Sequence, residues 1–96
     1  MNQGVASLEE ADGRWALSGP LVMDSVAPLL GSSASRPLPE NGVIDMTNVQ
    51  RVDSAAVALM LAWKRRAANE AKPISFAGVP ASITSLAVLY GVAELL

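Results

Sequence analysis

Val43-Ile44-Asp45-Met46-Thr47-Asn48-Val49-Gln50-Arg51-Val52-Asp53-Ser54-Ala55-Ala56 is the stretch that decides the fold. Its first four residues form a short, mostly apolar run of the kind buried in the centre of a sheet. Thr47 to Asp53 reads as a connection. Asp53-Ser54 then opens a helix, because either side chain can accept a hydrogen bond from a free N–H of the first turn. That helix is predicted over Ser54 to Ala71, rich in Ala, Leu and Met, with Pro73 marking its end.

Working outward, Ile74-Ser75-Phe76-Ala77 is predicted as the next strand. Pro80 and Ser82 open a last helix, which Gly91 terminates near Tyr90. Val92 to Leu96 is an apolar tail that must pack somewhere. Toward the N-terminus, Gly31 to Gly42 is rich in Ser, Pro and Gly and reads as a loop stiffened by Pro37 and Pro39. Before it, Leu21 to Leu30 is predicted as a helix with Asp24 as its cap, Pro28 near its first turn and Gly31 at its end. Val5 to Leu8 reads as a strand, Asp12-Gly13 as a hairpin turn, and Trp15 to Ser18 as the antiparallel return, closed by Gly19-Pro20. The order is β-β-α-β-α-β-α. A strand, a helix and a further strand imply right-handed parallel crossovers. The expected architecture is an α/β fold, a small mixed four-stranded sheet covered by about three helices.

Composition sets the limits. A chain of 96 residues is expected to form a single domain over 1–96. It is 51% hydrophobic and 17% charged, which argues against disorder. Seven basic residues against nine acidic ones leave a net charge of −2, so nothing suggests a nucleic-acid binder. The sequence holds no cysteine and no histidine, which excludes disulfides, thiolate chemistry, Cys/His zinc sites and His-dependent triads. Met1 to Glu10 does not read as a signal peptide. The longest apolar run, Ala55 to Trp63, is nine residues, against about 20 for a membrane span. No membrane insertion, metal or cofactor is expected.

The long helix carries the functional signal. On a helical wheel Ala56, Val57, Met60, Leu61, Trp63, Ala67, Ala68 and Ala71 form a broad face that is expected to cover the sheet. Trp15 and Trp63 are expected in the core. Lys64 falls near that face and must snorkel outward. Arg65, Arg66, Asn69, Glu70 and Lys72 read as a solvated face. The first half of the outward side holds Ala55, Ala58, Leu59 and Ala62, small or apolar residues that would let another protein approach closely. The competing explanation is that alanine is simply a good helix former, or that a loop covers the patch. Replacing Leu59 with Glu is accordingly expected to abolish partner binding and leave the domain folded. Arg51 lies just before the helix and could join the same surface.

Asp53 and Ser54 have two readings. One is helix capping. The other is a switch: a phosphate on Ser54 would sit at the positive helix end and add about 1.5 to 2 negative charges. Nucleophilic catalysis is not expected. Ser54 has no histidine to activate it, and Lys64 lies ten residues along the helix, about 15 Å away at 1.5 Å per residue. Asp45 and Asp53 read as turn and cap residues rather than as a catalytic pair.

The stretch from Val43 to Ala56 also resembles the signature of STAS domains: an apolar strand ending in Asp, a short connection, then an apolar residue, Asp, and Ser or Thr opening a helix. Trp15-Ala16-Leu17-Ser18-Gly19-Pro20-Leu21 resembles the family's second strand and its step into the first helix. Leu86-Ala87-Val88-Leu89-Tyr90-Gly91-Val92 resembles its last helix and turn. The resemblance covers nearly the whole chain and implies a STAS-like fold. One departure is that Ala55 and Ala56 stand where the family often has glycine. Within the family the chain looks most similar to the cytoplasmic STAS subunit of an ABC transporter that moves phospholipids between the membranes of Gram-negative bacteria. That resemblance implies a non-enzymatic role: binding the transporter's ATPase subunit in a complex with a permease, peripheral to the inner membrane, to support lipid asymmetry. It carries Asp53 and Ser54 into the partner surface. The alternative it implies is an anti-sigma factor antagonist whose Ser54 is phosphorylated by an anti-sigma kinase.

Overall fold

In the computed structural model, which describes residues 5–96, a four-stranded sheet carries three helices. The elements are β1 (Ser7–Ala11), β2 (Arg14–Leu21), α1 (Met23–Ala34), β3 (Val43–Val52), α2 (Ser54–Asn69), β4 (Ser75–Ala77) and α3 (Ala81–Leu89), followed by a short 3₁₀ turn at Ala93–Leu95. The strands lie in sequence order. β1 and β2 are antiparallel, while β2, β3 and β4 run parallel. Two right-handed crossovers in the same direction place the helices on one face. There α2 packs between α1 and α3. The predicted order and sheet are those observed.

The sheet separates its faces by register. The row Glu10, Trp15, Ile44 and Phe76 and the pair Leu8 and Leu17 belong to the strands' inward positions, and Trp15, Leu17 and Ile44 are fully buried. The next row, Glu9, Ala16, Asp45 and Ala77, points the other way and holds no buried residue. Trp15 meets Trp63 of α2 edge to face, with ring centroids 5.5 Å apart. The Trp63 indole N–H donates to Ser33 Oγ at 3.0 Å, which ties α2 to α1. Arg66 donates to the carbonyls of Ser33 and Arg36 and lies over the Trp15 ring. Lys64 snorkels to the Ile74 carbonyl, 2.9 Å away, across the Phe76 ring.

β3 is more than twice the predicted length. The segment expected to be a connection, Thr47 to Asp53, continues the strand through Val52. The buried residues Ile44, Met46 and Val49 do not keep a strict alternation, which is why the strand pattern in the sequence stops before Thr47. Two bulges restore the pairing. Ala16 and Ser18 oppose Asp45 and Asn48, and Gly19 and Leu21 oppose Val49 and Val52, so each time β3 spends one residue more than β2. Asp45 fixes the first bulge. Its Oδ1 accepts from Thr47 Oγ1 at 2.6 Å and from Thr47 N at 2.9 Å. Those bonds, with lesser help from Arg14, hold the Asp45 carboxyl below the usual carboxylate range.

β2 also runs on, through Gly19-Pro20 to Leu21. Pro20 breaks no ladder because β1 pairs with β2 only as far as Ser18. Gly19 has φ +84°, and a Cβ there would collide with the Val5 carbonyl.

Helix α1 begins two residues later than expected and ends four residues beyond Leu30. Asp24 is not its cap. The N-cap is Val22, whose side chain has no acceptor. Ser25 Oγ instead accepts from the Val22 N–H and donates to the Pro20 carbonyl. Pro28 stands in the helix interior and Gly31 does not end it. The hydroxyls of Ser32, Ser33 and Ser35 donate back to carbonyls of the last turns.

Helix α2 ends at Asn69, two residues before the predicted Ala71, in a Schellman turn. Lys72 N–H donates to the Ala67 carbonyl and Ala71 N–H to that of Ala68, with Ala71 at φ +55°. Helix α3 ends the same way, but there Gly91 takes the left-handed position. An L-residue pays for that conformation and Ala71 is exposed, so Ala71→Gly should stabilise the domain by about 1 kcal/mol. Urea denaturation would read this as a higher midpoint at an unchanged slope. The apolar tail docks on its own core: Val92 and Leu96 pack against it, and Leu96 closes a 240 Å³ cleft with Met60, Phe76 and Ile83.

Candidate functional site

Each helix follows a parallel strand, so all three start at the carboxyl edge of the sheet, where irregular backbone and free N–H groups collect. Asp53 is the centre of that edge. Its N–H donates to the Leu21 carbonyl at 3.2 Å, closing the β2–β3 pairing. Its Oδ1 accepts from Ala55 N at 2.8 Å and caps α2. Its Oδ2 accepts from Met23 N, the first residue of α1, at 3.1 Å. One carboxylate therefore caps two helices. This follows from the sequence of α1, since Val22 offers no oxygen of its own.

The capping expected for Asp53 is observed, and it is broader than the sequence suggests. Asp53 is half-buried and both oxygens are engaged in holding the fold together. Ser54, the first residue of α2, is exposed, and its hydroxyl makes no hydrogen bond among the described residues. Arg51, also exposed, precedes it on β3 and forms no ion pair among the described residues.

On α2, Ala58 is exposed, and Ala55 and Ala62 are partly so. Their spacing, three then four residues, places them in one stripe along the helix. Leu59 does not belong to it. It is 1% exposed and lies in the core. It stands four positions before Trp63, so the two share one flank of the helix, turned toward α1 through the Trp63–Ser33 bond. The predicted sheet-covering face also needs correction at its other margin: Ala68 and Ala71 are exposed and Leu61 is half-buried. Because α1 and α3 flank α2, burial extends around its sides and leaves only a narrow outward strip.

The sequence reading passed over Met23. It is 74% exposed, although it stands three residues before the buried Val26 and would be counted with that core stripe. Asp53 joins it to the N-terminus of α2. The candidate surface is then Arg51, Ser54, the stripe Ala55, Ala58 and Ala62, and the Met23 side chain: an apolar projection beside a shallow small-residue strip, with two helix N-termini behind it. Such a surface suits contact with another protein.

Comparison with known proteins agrees with this architecture. The family model for the Mlab type of STAS domain matches residues 5–96. A search of curated proteins finds no match.

Proposed function

Starting from a chain that belongs to the MlaB-like STAS domain family, we propose that it is the non-catalytic STAS subunit of a phospholipid ABC transporter, and that it binds the transporter's ATPase through the carboxyl edge of its sheet. The observation that carries this reading is the strip of exposed Ser54 and Ala58 with partly exposed Ala55 and Ala62 beside Met23, on a framework in which Asp53 is committed to two helix caps. Small side chains along a helix let a partner's backbone or side chains approach closely, and Met is an adaptable anchor. A catalytic role has no comparable support, because the chain has no His to activate Ser54 and no Cys to serve as a nucleophile in its place. Among the described residues no helix is long and apolar enough to cross a membrane; in this reading the chain is held at the inner membrane by its partner. There it would support transporter assembly and, through it, lipid asymmetry.

The hydroxyl of Ser54, exposed and without a hydrogen bond among the described residues, also favours a second reading, an anti-sigma factor antagonist switched by phosphorylation. Both use the same edge and differ in partner. Tagged protein purified in mild detergent from its native cells, followed by mass spectrometry, separates them. An ABC ATPase recovered with its permease supports the transporter. A soluble kinase recovered with phosphate on Ser54 overturns it. In either case Ala58→Arg should weaken partner binding at least tenfold and leave the thermal midpoint unchanged, since Ala58 is exposed and supports no core contact.

A further inference from the structure

We propose that Met23 is a reversible oxidation site: a peroxide-class oxidant converts its thioether to the sulfoxide in the free chain, and the sulfoxide blocks docking at the edge of the sheet that holds Asp53. This rests on the reading of that edge as the partner surface. The choice of residue follows from where the chain keeps its sulfur. The sequence has four methionines and no cysteine, so no thiol within the chain competes for the oxidant. Met46 of β3 and Met60 of α2 are fully buried in the core. The two indoles, Trp15 and Trp63, are buried just as closely. Met23 is 74% exposed. Among the described residues it is the one thioether that an oxidant in water reaches without the fold opening. Its place is fixed as well as open. Met23 is the first residue of α1, and its N–H is held by Asp53 Oδ2 at 3.1 Å, beside the start of α2.

The step is an oxygen transfer. A lone pair of Met23 Sδ attacks one oxygen of the peroxide and the O–O bond breaks. The departing hydroxide takes the proton from the transferred oxygen, so the products are the sulfoxide and one water. Sulfur loses two electrons and the peroxide gains them. The protein has to supply no base and no metal. The return step needs a dithiol: a thiol-dependent sulfoxide reductase restores the thioether and leaves a disulfide and a water. The consequence is confined to the surface. Met23 is not among the side chains packed against the core, so the free domain loses no packing. In a contact with a partner the balance differs. The thioether is apolar and adaptable, whereas the sulfoxide is polar and chiral, and its oxygen must give up water to be covered. Leucine, of similar volume, would present an apolar projection without this chemistry. Once docked, Met23 is covered by the partner and protected. Oxidation therefore acts on the unassembled chain and decides whether it is competent to dock.

The full chain is treated with millimolar hydrogen peroxide, and the peroxide is removed with catalase before any partner is added. Tandem mass spectrometry should place oxygen on Met23 at least about tenfold faster than on Met46 or Met60, which react only through local opening. The thermal midpoint of the chain oxidised at Met23 should match that of the untreated chain. Its affinity for the ATPase recovered with the tagged protein should fall about tenfold and return after treatment with the reductase. Met23→Leu should keep through peroxide whatever affinity it has beforehand. Met23→Gln, which puts a polar amide in place of the sulfur, should show the loss without peroxide. Met46 or Met60 oxidising as fast as Met23 overturns the proposal. So does an oxidised wild type that binds the ATPase undiminished, or a Met23→Leu variant that loses affinity in peroxide as the wild type does. An untreated chain that binds no ATPase overturns the function read for this edge and the docking half of the proposal with it. The ranking of the three methionines is measured without a partner and stands or falls separately.

Discussion

Leu59→Glu should unfold the domain. Leu59 is 1% exposed on the flank of α2 that carries Trp63. A carboxylate placed there has no charge partner: the nearest cation along the helix, Lys64, is five residues on and donates to Ile74. Burying a charge without compensation costs several kcal/mol even after relaxation, and the lost apolar volume adds about 2 kcal/mol or more. A domain of this size has about 5–15 kcal/mol in total. The expected result is loss of a cooperative thermal transition and of native near-ultraviolet circular dichroism. Two controls separate burial from surface effects. Leu59→Ala leaves a cavity and should remain folded, with about 2–5 kcal/mol less stability. Ala58→Glu, one residue away but exposed, should melt close to the wild type. If Leu59→Glu melts cooperatively at the wild-type temperature, Leu59 is on the surface and the packing of α2 against α1 is other than described.

That result tests where sequence reading reaches its limit. The element order was legible because each element announces itself locally: the Asp12-Gly13 turn, the apolar run from Val43, the Asp53-Ser54 start and the Gly91 stop. The extent of β3 was not, because alternation registers a strand only while the strand is regular, and bulges at Asp45–Asn48 and Val49–Val52 break the period of two. The surface of α2 was half legible. Periodicity finds the face toward the sheet, but neighbouring helices also bury the sides, and the flanks holding Leu59 and Ala68 are assigned by packing. At α1, the side-chain acceptor for the first N–H of the helix is Asp53 and not Asp24, while Ser25 Oγ accepts from the N–H of the N-cap Val22. The role of Asp53 was legible only for α2. Its bond to Met23 spans 30 residues of sequence, and no local pattern encodes a contact at that distance.

The double cap makes Asp53 the residue whose removal should be felt in both stability and binding. A single N-cap is worth about 1 kcal/mol, within a range of 0.5–2. Asp53→Ala removes two and should cost about 2–3 kcal/mol, a fall of about 10 °C or more in a domain this small. Asp53→Asn keeps one acceptor oxygen and should lose about half as much. Both variants remain folded at 25 °C, which allows binding to be measured. The carboxylate holds the start of α1 against the start of α2, so its loss lets Met23 drift from the Ser54 strip, and partner affinity should drop about tenfold. A merely direct contact by Asp53 would give the same affinity loss. Amide hydrogen exchange distinguishes the two. If Asp53 positions the surface, exchange at the Met23 and Ala55 amides rises together in Asp53→Ala, and Asp53→Asn protects at least one of them. If both amides exchange as in the wild type while affinity falls, Asp53 faces the partner itself, and the edge is organised by the backbone pairing of Asp53 N–H with the Leu21 carbonyl alone.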